Sequence, residues 1–274
     1  MLFADLGMAS QFLSNVGFYR LRGYLEPFVD HTASSNSHAF LANTSFENVI
    51  ERYDFDRKLR ILLLEAFNHI EVSIRTQWTY HLAYTQQGGE LSHFDPQLFS
   101  KDYYVNLATL SRDYQQHGNR MHHYQFANCP TWVVAEVMSF GLLSRWYGDT
   151  NKPVRQLVAR HYQIDERILR TLLRHLAPIR NICAHHERLW DREFITKLTV
   201  PKRMGTFKDP RSFFNRQNNV KLYNSLVMMA HLARVITNSN EWQLHLVGLM
   251  DQYKSIPIDR MGFIPGWKDL DIWK

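Results

Sequence analysis

Residues 57–84 read RKLRILLLEAFNHIEVSIRTQWTYHLAY, and the spacing of apolar side chains in this stretch decides the fold. Leu59, Leu62, Leu63, Ala66, Phe67, Ile70, Ile74 and Trp78 recur every three or four positions. That is the period of one buried stripe on an α-helix, not the alternation of a half-buried strand. Asp54 or Asp56 stands where an N-cap belongs, and Gly88-Gly89 closes the run. Immediately upstream, Thr44 or Ser45 can cap a separate short helix carrying Phe46, Val49 and Ile50.

The helical period extends in both directions. ASQFLSNVGFYRLRGYLEPF (9–28) predicts one helix with Phe12, Leu13, Val16 and Tyr19 on a face, running to Pro27. Residues 29–44 carry turn chemistry and predict a surface loop. Residues 91–128 are polar and aromatic with poor periodicity, and RDYQQHGNRMHHYQF predicts a helix plus an exposed loop. CPTWVVAEVMSFGLLSRWYGD predicts a helix capped by Thr131, with Val133, Val134, Val137, Met138, Leu142 and Leu143 inward, closed by Gly148. Asp165 caps the next, whose seam is Leu169, Leu172, Leu173, Leu176 and Ile179. Two more helices are expected around 220–237 and 241–253, within a C-terminal portion of helices and tail over 219–274. Only FITKLTV has the composition of a strand. With no linker, repeat or low-complexity tract, the expectation is one all-α domain over 1–274.

Composition narrows the function classes. At 45% hydrophobic and 14% aromatic, 274 residues supply a real core rather than a disordered chain. Two cysteines, Cys129 and Cys183, are too few for a disulfide framework or structural zinc, so a reducing cytoplasm is expected. The N-terminus lacks a basic leader with an apolar core, and no 18-residue uncharged run suggests a membrane span. A net charge of +6 favours a polyanionic partner. Phosphate loops, dinucleotide fingerprints, nucleophile elbows and zinc-protease motifs are absent. His122 and His123 are adjacent and so point to different faces of a helix, which argues against a metal site; no cofactor is expected.

The chemistry concentrates in APIRNICAHHERLW (177–190). Arg180 and His185 have the spacing Arg-x4-His, but so do Arg112–His117 and Arg170–His175. Three features single out Arg180. It follows Pro178, a residue that removes a helix hydrogen bond and bends the rod. Asn181 lies one turn before His185, where an amide can orient the imidazole. The polar groups also interrupt an apolar run, and buried polar groups need partners. Five residues set Arg180 and His185 about 140° apart around a helix, so they converge on one groove only through the long arginine or a second copy. On residue types alone, Arg180, His185, His186, Glu187 and Arg188 fit a solvated ion-paired face equally well.

A resemblance tips that balance. RNICAHHERLWDR resembles the C-terminal motif of Abi-like proteins, the AbiD/AbiF group of bacterial abortive-infection proteins within the HEPN superfamily. VGFYRLRGYLEPF, YDFDRKLRILLLEAFNHIEVSIRTQWTYHLA, PTWVVAEVMSFGLLSRWY and MGFIPGWKDLDIW resemble that family in the same order. Family members usually have a further N-terminal helix before FLSNVGFYR, so this start, almost on that line, suggests a short form or late start codon. The resemblance implies a HEPN-like helical bundle with extra helices, a homodimer, and metal-independent RNA cleavage in phage defence. It further implies Arg180, His185 and Asn181 as catalytic positions, with Glu71, Arg75, His186 and Arg188 supporting. Glu71 and Arg75, one turn apart, equally suit an ordinary intrahelical ion pair. Expected partners are RNA, as substrate and as a regulatory small RNA, and an antitoxin, without a membrane. The alternatives are a non-catalytic RNA-binding protein stacking bases on Tyr103, Tyr104 and Tyr124, or a regulated partner in a phage-defence complex.

Overall fold

The computed structural model describes residues 1–32, 39–84, 89–117 and 124–274. His122, His123 and Gly88 lie outside the described residues. Among those described, no strand forms, and three isolated bridges are the whole of the β-type pairing. FITKLTV is irregular.

The organising element is α3 (Phe46–Tyr84), a single helix of 39 residues. It replaces the two helices expected from the sequence. Asp54 and Asp56 sit inside it rather than capping it. Asp54 binds Arg57 and accepts from the Tyr253 hydroxyl at 2.5 Å, while Asp56 is fully buried among donors. The expected stripe from Leu59 to Trp78 is buried throughout. Helices surround the rod and bond to it. Trp242 Nε1 donates to the Leu62 carbonyl at 2.8 Å, Trp78 Nε1 donates to Thr150 at 2.9 Å, and Ser73 meets the Tyr162 hydroxyl at 2.8 Å. Each fully buried large apolar side chain contributes roughly 1.5–3 kcal/mol by leaving water. The Trp78 and Trp146 rings, 5.9 Å apart and tilted, are both fully buried in that core.

The remaining helices follow from local chemistry. The N-terminal stretch is two helices, α1 (Leu6–Val16) and α2 (Phe18–Leu25). Gly17 separates them at φ 77°, a conformation glycine adopts without steric cost, and Tyr19 is exposed instead of facing inward. These two pack with the start of α3 around a small second core containing Leu21, Tyr24 and Val49. After α4 (Tyr103–His117), the TWVV region also divides, into α5 (Thr131–Val134), a 3-10 turn and α6 (Phe140–Asp149). Thr131 does not cap; its hydroxyl binds the Glu90 carbonyl and His93, and Ser139 caps α6. Gly148 lies inside α6 rather than closing it.

Helix α7 (Lys152–His161), capped by Asn151, was not anticipated. Helix α8 (Glu166–Ala184) is capped by Asp165 as expected and runs uninterrupted through Pro178. Helices α9 (Tyr223–Thr237) and α10 (Glu241–Gln252) close the core against α3. No described helix is long and apolar enough to cross a membrane.

Candidate functional site

The site is built where α8 ends beside α3. Helix α8 closes in a left-handed turn: His185 is the C-cap, and His186 takes φ 58°. The N–H of Glu187 reaches the Ile182 carbonyl at 3.0 Å and that of His186 reaches Cys183 at 3.2 Å. This is the paired closure usually given to glycine at the left-handed position. It lifts His185 to the exposed rim, where its side chain has no protein partner among the described residues.

Arg180 points the other way, toward α3. Its Nε donates to Glu71 Oε1 at 2.6 Å. The Glu71 side chain is 14% exposed and that of Arg180 34%. Both terminal guanidinium nitrogens of Arg180 have no acceptor among the described residues. Glu71 therefore fixes one edge of the guanidinium and leaves the fork that suits phosphate oxygens open.

Arg75 does not pair with Glu71. It turns to the Met138 carbonyl at 3.2 Å and to Glu136 at 3.7 Å. Asn181 is exposed and links to His185 through the backbone, its carbonyl accepting from the His185 N–H at 2.8 Å. The other two Arg-x4-His pairs differ. His175 is buried against the Ser225 hydroxyl at 2.8 Å, and burial pulls its pKa down. Arg112 and His117 lie exposed on α4.

The loop after His185 is held by a second, sealed cluster. Asp56 accepts from the Trp190 N–H at 2.6 Å, the Leu189 N–H at 3.2 Å, the Tyr24 hydroxyl at 2.5 Å and the Arg60 guanidinium. Burial pushes the Asp56 carboxyl up, and Arg60 with these donors acts against that. Arg60 also reaches the Glu187 carbonyl at 3.2 Å. Helix α2 adds two clamps: Arg20 donates to the His186 carbonyl, and Arg188 donates to the Gly23 carbonyl at 2.6 Å. A Cβ on Gly23 would stand 3.1 Å from the Arg188 side chain, so glycine allows this approach.

Arg60, Tyr24 and Arg20 carry no functional signal in the sequence, and Asp56 reads there only as a candidate helix cap. Asp56 and Arg60 have the signature of a one-turn ion pair, but the amides they anchor lie more than 120 residues away. A groove of about 560 Å³ opens beside the clamps, lined by Arg20, Arg57, Arg60, Cys183 and His186. Burial pushes the Cys183 thiol up to about 12, which keeps it protonated and unsuited to nucleophilic attack. Both cysteines are free and buried. Tyr103, expected on the surface, is 4% exposed and stacks on Phe99, whereas Tyr104 and Tyr124 are exposed. The described residues contain no cluster of three metal-ligating side chains.

A family model described as Abi-like protein matches residues 11–191, from α1 through the loop that Asp56 holds. No curated protein and no solved structure matches the chain.

Proposed function

The chain belongs to the Abi-like protein family, and from that premise we propose that it is a metal-independent endoribonuclease of the HEPN type acting in abortive infection. The observation that carries this reading is the state of Arg180: anchored through Nε by Glu71, with both terminal nitrogens open among the described residues, and close in the chain to the His185 imidazole, which likewise has no partner among them.

RNA brings its own nucleophile. One His185 takes the proton of the 2′-hydroxyl, and O2′ attacks phosphorus. The P–O5′ bond breaks, and O5′ takes a proton from a second, protonated imidazole. The products are a 2′,3′-cyclic phosphate and a 5′-hydroxyl. Arg180 stabilises the charge that develops on the non-bridging oxygens, where an always-charged fork is effective. Arg180 and His185 diverge by about 140° around one helix. In this reading a homodimer therefore apposes two α8 ends, so that an arginine and two histidines share one phosphate. Asn181 orients the scissile group, Glu71 is a positioning residue, and His186 and Arg188 hold the turn. The protein works in the bacterial cytoplasm, restrained by a small RNA or a protein antitoxin.

The test is incubation of the protein with single-stranded RNA in EDTA, beside His185→Ala and Arg180→Ala. Cleavage lost in both variants, with a 2′,3′-cyclic phosphate in the wild-type product and DNA left intact, is the expected result. Cleavage that persists in both, or that needs a divalent metal, sinks the assignment. Salt-dependent binding with no turnover in any form would favour plain RNA binding, which the exposed Tyr104 and Tyr124 could serve.

A further inference from the structure

Helix α8 carries a second feature that neither the Arg180–Glu71 pair nor the family match assigns. At 100° per residue, Arg170, Arg174, Asn181 and His185 fall within about 60° of one another around the helix. All four are exposed. They form a single ridge about 22 Å long, from the 1.5 Å rise per residue. Arg170 and Arg174 have no anionic partner among the described residues, and neither has Arg145 across from them on α6.

Two grooves, of about 330 and 380 Å³, share Arg170 and Arg174 as walls. The smaller also reaches two polar side chains that are almost wholly buried, Asn106 and Asp149. Asn106 Nδ2 and Asp149 Oδ2 have no hydrogen-bond partner among the described residues. Buried polar atoms left unpaired cost free energy, so a ligand or water that satisfies them is favoured.

The geometry points to this ridge as the binding track for one RNA strand, with phosphates on Arg170, Arg174 and Arg145 and a base edge over Asn106 and Asp149, leading to His185. The inference rests on the ribonuclease reading for its direction of travel. Guanidinium groups fork onto phosphate oxygens, and a single row suits one strand rather than the two strands of a duplex. A nucleobase edge offers both an acceptor for the Asn106 amide and N–H donors for Asp149. An acidic peptide would bring like charge to Asp149 and Asp102, which line the same groove. About six stacked nucleotides, at roughly 3.4 Å per phosphate along a strand, span the ridge.

The probe is a fluorescent 2′-O-methyl RNA 12-mer, which cannot be cleaved, titrated by anisotropy at several salt concentrations. The proteins are wild type, Arg170→Gln/Arg174→Gln, and a charge-matched control of exposed arginines outside α8, Arg203→Gln/Arg216→Gln. At about 0.1 M salt each lost phosphate contact corresponds to roughly a fivefold weakening, so the ridge variant should bind about 25-fold more weakly. Its log–log salt slope should fall by about 1.4, from about 0.7 per contact on a single strand. The control should match wild type, and thermal melts of all three should coincide.

A ridge variant that binds like the control overturns the track. So does a wild type that binds no oligonucleotide, or equal competition by duplex RNA of the same length. The two readings fail separately: binding that depends on Arg170 and Arg174 without any cleavage of ordinary RNA removes the catalytic reading alone. Cleavage undiminished in the ridge variant removes the track alone.

Discussion

Two carboxylate–guanidinium pairs tie α3 to the end of α8, and they differ in how many of their valences are used. Asp56–Arg60 is sealed: the carboxylate is saturated by a hydroxyl, two amides and the guanidinium, and Arg60 is buried beside it. Glu71–Arg180 is half open: Arg180's terminal nitrogens have no acceptor among the described residues, and its side chain is one-third exposed. A buried pair must be complete to be tolerated, because desolvation leaves no alternative partner. A half-open pair contributes little to stability but presents a charge already fixed in direction. The sealed cluster is architecture, and the open one is available for chemistry.

Substitutions should separate the two. Asp56→Ala leaves Arg60 and two backbone amides buried without their acceptor, and should cost about 3–5 kcal/mol in a urea melt. Activity per folded molecule should change little, and a small stability loss would break the contrast. Arg180→Ala should do the reverse. Its melt should shift by about 1 kcal/mol or less, while the cleavage rate falls about 10²–10³-fold if the open fork faces the transition state.

A buried histidine extends the contrast. Burial holds His93 at about 4, below the ordinary 6.5. The unfolded chain therefore takes up a proton between pH 6.5 and about 4 that the folded one refuses. The associated stability is complete above pH 6.5 and is lost as pH falls through that window, at most roughly 3 kcal/mol at 1.36 kcal/mol per unit. Melting temperature against pH should show that loss, and His93→Gln should blunt it. The smallest and most diagnostic change is Glu71→Gln, which keeps the shape but weakens the anchor. It should shift stability by less than about 1 kcal/mol yet lower kcat roughly tenfold or more by loosening Arg180, with KM largely retained.

The sequence was legible where one physical signal dominated. The stripe from Leu59 to Trp78 and the seam from Leu169 to Ile179 are periodic, and both are buried as helices. The continuity of α3 was not legible, because an acidic residue inside a helix looks like a cap unless its distant amide partners are known. Helix α7 was overlooked although Asn151 and Pro153 mark its start, since only Val154, Val158 and Ala159 along it are buried. At the site, the Arg-x4-His spacing occurs three times and distinguishes nothing by itself. What separates His175, inside α8, from His185 at its C-cap is burial against Ser225. The meeting of Glu71 with Arg180 is legible only through the family resemblance, and the basic ridge of α8 is not, because an arginine beside an apolar seam reads as one that merely snorkels to water.

One consequence lies in the length of α3. Asp56 and Glu71 stand on the same unbroken rod, so their relative azimuth is set by residue count alone. A single inserted residue between them would swing everything downstream by about 100°, moving Glu71 off Arg180 while the N-terminal anchorage stayed whole. Side chains along this stretch are individually replaceable to varying degrees, but its count of residues is a gear ratio, and a frame-preserving insertion there is the change that this architecture is least able to absorb.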